Sequence, residues 1–308
     1  MTTILNEGRI GQFLSKAGFP MSQRVFVEEY ETPRHAEEHA TLHELALSLH
    51  RGNLALILSG TLEASEERKQ MVRVASTHLL SGINTLVSIL SLTEKLSLKV
   101  KEAIALSRVF YETALVAAFT CVGGPERARR AELYSVYKTF RNQTQAHQAG
   151  GFVLRVSRVA RISRKDPQIV AALEMFGGSS RIRPCFEENR EEMTESVTSF
   201  DARAGLLFGG VEGMIHEVSS EIIHGSFHGY ALFDSLHNGK SEMEDKLLAH
   251  HEMVLFAVSL SIAALSRVIG RSFDMEDTMG ELERSCISSL LPYVPDDMAA
   301  QLRALYPD

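Results

Sequence analysis

The stretch SSEIIHGSFHGY, residues 219–230, sets Ser220, His224 and His228 four residues apart, one turn of a helix at each step. Imidazole changes charge near neutral pH, so a histidine can give or take a proton or ligate a metal. A hydroxyl one turn away adds a nucleophile or a hydrogen-bond partner. On a helix over 211–230, Val211, Ile215, Val218 and Ile222 share one face, which predicts the core side. Glu217, Ser220, Glu221, His224 and His228 gather roughly opposite. Gly225 and Gly229 interrupt the pattern, each costing a helix about 0.5–1 kcal/mol, a loss that a closely approaching backbone or ligand would offset. A solvated outer face is the competing explanation.

Two other groups invite the same question. His35, His39 and His43 follow at four-residue spacing, with His50 beyond. Two histidines at i and i+4 can grip one metal ion. Joined to His224, His228 and Glu217 or Glu221, they could complete the His/carboxylate site of a metal-dependent hydrolase. They also flank the apolar stripe Leu42, Leu45 and Leu49, where histidines serve as boundary residues, and no H-E-x-x-H pattern is present. The expectation is therefore no metal site and no cofactor. Arg108 and Glu112 share a face within the apolar segment AIALSRVFYETALVAAFTCV. A buried charge pair needs partners beyond itself, and Ser220 and His224 from a facing helix are the expected ones. Such a network either specifies packing or floors a ligand site.

Between Arg127 and Lys165 the chain carries Arg127, Arg129, Arg130, Lys138, Arg141, Arg155, Arg158, Arg161, Arg164 and Lys165 against the single acid Glu132, inside a chain of net charge -7. A local positive surface of this kind suits phosphates or an acidic partner. Tyr134 and Tyr137 lie in the same run and could stack on bases. The acidic segment FEENREEMTE (186–195), of the same or a neighbouring subunit, is the alternative partner. No zinc-finger or RNP signature accompanies the charge.

Helices must position these groups. Thr32 and Pro33 predict a helix start, and residues 97–122 form a long second helix. Pro125 and Gly150–Gly151 bracket another, Asp166–Pro167 and Gly177–Gly178 a fourth, and Ser241 with Glu244 predicts a capping box ahead of a helix through Ile269. Only 151–163 alternates well enough for a short β element. The expected fold is an all-α multi-helix bundle, with an N-terminal helical region (1–95) packed on a central bundle (96–308). Apolar content of 44% and charged content of 23% belong to a globular chain. Three scattered cysteines fit neither a disulfide framework nor a thiolate zinc site, and suit a reducing cytoplasm. No signal peptide is visible, and the apolar runs 103–122 and 253–265 read as too charged or too short to span a bilayer. No membrane association is expected.

Within the basic run, RNQTQAH places Arg141, Asn142 and His147 in a pattern that resembles the higher-eukaryote-and-prokaryote nucleotide-binding (HEPN) superfamily. The resemblance implies a helical bundle, often dimeric, with metal-independent ribonuclease activity of the toxin or antiphage-defence kind. It further implies that Arg141 would stabilise phosphate charge, His147 would handle protons and Asn142 would orient them. Residues 100–235 also look like an uncharacterised bacterial family of helical proteins with R-x3-E on one long helix and S-x3-H-G-S on a later one. Here those positions are Arg108, Glu112, Ser220, His224, Gly225 and Ser226. The sequence thus leads to a cytoplasmic, homo-oligomeric protein acting on RNA or a nucleotide. Arg127, Arg130, Lys138, Arg155, Arg158, Arg161 and Arg164 are the expected nucleic-acid-binding residues, and a non-enzymatic adaptor that holds an acidic protein on the same basic run is the runner-up.

Overall fold

In the computed structural model, residues 29–61, 65–141, 144–157, 163–177, 184–226, 229 and 240–306 are described. Helix α1 (Pro33–Thr61) starts as predicted: the Thr32 hydroxyl oxygen accepts from the His35 N–H at 3.0 Å, with Pro33 in the first position. Its stripe Leu42, Leu45, Leu49 and Leu56 is buried. Helix α2 (Glu66–Leu92) is capped by Ser65, whose Oγ accepts from the Arg68 N–H, and Glu66 and Glu67 in its first turn complement the helix dipole. Helix α3 (Val100–Val122) lies against α2, and α4 (Gly124–Arg141) follows it.

The hairpin that comes next corrects the sequence reading. Residues up to Gly150 were expected to continue the helix, yet α4 stops at Arg141 and Thr144–Ala149 forms β1, paired antiparallel with β2 (Phe152–Ser157). Gly150 and Gly151 are not a helix stop but the two-residue turn, with φ of +52° and +87°. Positive φ at both central residues is the geometry that matches strand twist, and glycine adopts it without a Cβ clash. The β element expected within 151–163 is therefore the second half of a hairpin whose β2 residues are all exposed.

Helix α5 (Pro167–Phe176) begins at Asp166, whose Oδ1 accepts from the Gln168 N–H at 2.9 Å. A reciprocal cap joins Asn189 and Glu192 at the start of α6 (Arg190–Phe200). Asp201 caps α7 (Ala202–Ile223) by accepting from the Ala204 N–H at 3.0 Å. Helix α7 ends at Ile223, short of the expected residue 230: His224 is its C-cap and Gly225 has φ of +61°. Helix α8 (Lys240–Ser272) begins before Ser241, so that serine lies inside the helix and does not cap it. A tenth of the chain remains for α9 (Glu276–Leu290), a 3-10 turn and α10 (Asp296–Leu305). Ten α-helices and one small hairpin among the described residues make this the all-α bundle the sequence predicts.

Helix α8 sits at the centre, packed on α1, α3, α7 and α9. One continuous apolar core runs from Leu42 through Phe119 and Val258 to Leu302, and so includes side chains from both sides of residue 95. Leu133, Tyr137, Ala172 and Phe176 form a small satellite between α4 and α5. The apolar runs sit in helices longer than the runs themselves. Glu66–Leu92, Val100–Val122 and Met243–Ser272 are each long and apolar enough to cross a membrane, but in the last of these 89% of the apolar window is buried inside the fold. The share is 39% for Glu66–Leu92 and 61% for Val100–Val122, and on length and composition the reading of these runs as too charged or too short for a bilayer does not hold.

Candidate functional site

Three helices bring charged side chains together at their shared boundary. Arg108 and Glu112, one turn apart on α3, are paired at 2.8 Å between Nε and Oε1. Arg190, at the start of α6, donates from Nη1 to the same Glu112 oxygen at 3.2 Å, and its Nε stands 3.7 Å from Oε1 of Glu212 on α7. The Tyr111 hydroxyl, from the adjoining face of α3, donates to Glu212 Oε2 at 3.1 Å. Burial and the Glu212 carboxylate beside it raise the Tyr111 phenol well above its ordinary range, so it remains a donor. One turn along α7, His216 completes the group. Burial first, then the nearby Arg190 and Arg108 cations, hold its imidazole below the ordinary histidine range, so it is neutral at pH 7.

Two atoms in this group lack partners. Arg108 Nη1 and His216 Nε2 are both buried, with no hydrogen bond from protein. Leaving a polar atom in that state costs about 1–3 kcal/mol, so a water, an ion or a ligand group is expected to meet each of them, as it is for the buried atoms of the same kind on Asn53, Tyr137, His251, Ser259 and Ser272. A guanidinium nitrogen can only donate, and a neutral imidazole nitrogen can accept or donate. Together they fit an oxygen-rich group bearing negative charge and an exchangeable proton. Arg108 retains 16% of its side-chain exposure and Glu112 retains 40%, so the group is sheltered, with its carboxylate edge open to solvent.

This is half of the network expected from the sequence. Arg108 and Glu112 meet as predicted, but His224 does not join them: it lies exposed past the end of α7, with no side-chain hydrogen bond or ion pair to the described residues. The helix stops one turn too early to aim it inward. Ser220 is half-buried one turn beyond His216, on the same face, with no side-chain bond to Arg108 or Glu112. The residues that replace them, Glu212 and His216, continue the Ser220 spacing in the N-terminal direction. Reading that four-residue step backwards would have found both. Arg190 left no such signal, because it comes from a separate short helix.

The other predicted residues scatter. Arg141 ends α4 with its guanidinium 5.9 Å from the Tyr137 ring, and His147 stands exposed in β1 opposite Leu154. Asn142, Arg158, Arg161 and His228 lie outside the described residues. Arg127 and Arg130, expected on an open basic surface, are engaged inside the chain. The Arg127 guanidinium lies 3.5 Å over the Phe119 ring and donates to the Phe119 carbonyl, while Arg130 Nε donates to the Cys185 carbonyl at 2.5 Å. Part of the acidic segment is their neighbour, since Glu188 stands 4.0 Å from Arg127. Lys138 is half-buried, and Arg155 and Arg164 remain exposed.

The N-terminal histidines belong to the core instead. His35 is buried and bonded through Nε2 to the Thr93 carbonyl at 2.9 Å, and His39 bonds the Leu90 carbonyl at 3.1 Å. His43 is exposed. A partner not foreseen, Glu38, is fully buried and lies 2.6 Å from His251 Nδ1 on α8, with the His35 and His251 rings 4.7 Å apart. Arg34 pairs with Glu38 at 3.3 Å and also with Glu252. Burial pushes Glu38 up to about 7 and His251 down to about 4. Among the described residues, no group of three or more His, Cys, Asp or Glu side chains is arranged to hold a metal ion.

Compared with protein-family profiles, curated proteins and solved structures, the chain matches none.

Proposed function

We propose that the protein is a cytoplasmic, homo-oligomeric helical-bundle enzyme acting on the phosphate of RNA or a nucleotide, of the toxin or defence-ribonuclease kind, with Arg108 and His216 as its working pair. The observation that carries this reading is the pair of buried, partnerless atoms, Arg108 Nη1 and His216 Nε2, in one cluster. A neutral imidazole takes the proton from a ribose 2′-hydroxyl, the 2′-oxygen bonds to phosphorus, and the 5′-oxygen leaves with a proton from solvent. The arginine meets the charge that builds on the phosphoryl oxygens. Glu112, Arg190, Glu212 and Tyr111 orient the pair. The chemistry is that implied by the HEPN resemblance, carried by a different arginine and histidine than RNQTQAH supplies.

The test is cleavage of end-labelled single-stranded RNA, scored for 2′,3′-cyclic phosphate ends. Cleavage lost in Arg108→Gln and His216→Ala but kept in His147→Ala supports this site. Loss in Arg141→Gln and His147→Ala alone moves the activity to the hairpin. One observation favours the adaptor reading: Arg155 stands exposed in a hairpin whose Phe152 and Leu154 are also bare, and Arg164 and Lys165 are exposed later in the chain. An intact protein that cuts no RNA yet retains an acidic protein through those residues would establish it.

A further inference from the structure

A cleft of about 1300 Å³ opens between α2, α4, α5 and the segment Pro184–Glu188, with Val116 of α3 and Met193 of α6 also in its wall. Its walls are mainly apolar, from Val74, Val116, Leu133, Val136, Ala171 and Phe186. Its apolar lining with a few polar groups is the character of a small-molecule pocket, and its volume is somewhat above the usual range of roughly 300–1,000 Å³. The polar groups in the wall are nearly all accounted for. Glu132 is held by Gln70 at 2.7 Å and by Arg73 at 3.0 Å, so that carboxylate is neutralised. Glu188 faces Arg127. Burial holds His78 below its ordinary range and pushes the Cys185 thiol up to about 11, so both are uncharged at pH 7.

That leaves Arg129. Exposed at the rim, one turn before Glu132, its guanidinium has no hydrogen-bond or ion-pair partner among the described residues. The wall therefore presents a large apolar surface and one uncompensated positive charge. We infer that this cleft binds an amphipathic monoanion, an alkyl or aryl chain bearing a single carboxylate or equivalent acid, with the chain on Val74, Leu133 and Phe186 and the acid at Arg129. The apolar body provides most of the affinity, and the rim arginine selects charge.

Titration calorimetry of the full chain with decanoate, and with decanol as its neutral counterpart, tests this. Decanoate is expected to bind at one site per chain, roughly fivefold more tightly than decanol, the ratio a solvent-exposed ion pair supports. Arg129→Gln should bring the two ligands to equal affinity. Ala171→Phe, which projects a ring into the cleft, should abolish both. If that variant melts early, Thr77→Phe, from an exposed position on the α2 wall, serves the same purpose. Absence of saturable binding, or a charge preference unmoved by Arg129→Gln, overturns the inference. RNA cleavage by the Arg108 cluster plays no part in the readout.

Discussion

Two histidine–carboxylate clusters stand in this molecule, and they have opposite electrostatic characters. Around Glu38 and His251 burial is complete, one arginine reaches in, and both titratable groups shift toward their neutral forms. Around Arg108 and Glu112 burial is partial, and two arginines face two glutamates. Full desolvation penalises charge more than a single neighbour can repay. Half-burial with matched charges keeps a field that can act on a substrate. The two clusters share residue types, so residue type alone would not have separated the sealed one from the open one that we propose as the working site.

The sharpest way to break that contrast is to delete one carboxylate from each. Glu38→Ala leaves His251 without its 2.6 Å partner, leaves Arg34 one acid short, and opens a void in the core. It is expected to destabilise the fold by about 3 kcal/mol. Glu112→Ala removes a side chain that is 40% exposed and whose pairs with Arg108 and Arg190 are partly solvated, for about 1 kcal/mol. Urea denaturation of the two variants measures both. Equal losses would mean that the clusters do the same structural job.

Next in size is the effect on chemistry. Arg108→Gln removes the charge and the Nη1 donor, its amide ending two bonds short, and is expected to lower RNA cleavage about a hundredfold, the scale of one lost oxyanion donor. Circular dichroism and the melting temperature should hardly change. The matching substitution at Arg34, Arg34→Gln, should leave cleavage unaltered. For His216, the pH–rate profile is the finer probe. Because burial and two arginines depress its pKa, the acid limb should fall below the ordinary histidine range. In Arg190→Gln that limb should move upward, since one depressing cation is gone. A limb at the unperturbed histidine position in both proteins would remove His216 from the mechanism.

Much of the scaffold was legible because the punctuation is local. Thr32–Pro33 and Asp166–Pro167 start the helices they announce, and the Leu42 stripe is buried. Gly150–Gly151 was read in the right place with the wrong meaning, because two glycines stop a helix or turn a hairpin equally well. The Arg108–Glu112 pair was visible as charge inside an apolar helix. Its partners were not, since Arg190 and Glu212 reach it from sequence distances of 78 and 100 positions or more, set by how α6 and α7 pack. Glu38 was passed over in a helix rich in glutamate, although His35 drew attention one turn away. Only packing against α8 distinguishes it from Glu37, which is exposed.

The smallest effect separates the clusters by their protons. In the folded chain Glu38 keeps its proton up to about 7, against an ordinary 4.5. Between those values the folded state binds the extra proton, so this group makes stability fall as pH rises. His251 acts in the other sense: its folded value of about 4 against 6.5 means the unfolded state binds more protons in that window, and stability rises with pH. From about pH 4.5 to 6.5 the two slopes oppose each other. His35, also lowered by burial, adds to the rising side, and Glu252, raised by burial, to the falling side. Arg34, Glu37 and His39 complete the titratable surroundings and are common to both proteins. Glu38→Gln keeps the shape and removes only the falling contribution. Its unfolding free energy should therefore climb more steeply than the parent's across pH 4.5–6.5, by up to about 1.4 kcal/mol per pH unit, the slope of one proton. Urea titrations at pH 4.5, 5.5 and 6.5 would show it. Parallel curves would mean that Glu38 is ionised in the fold, and that the sealed cluster is as charged as the open one.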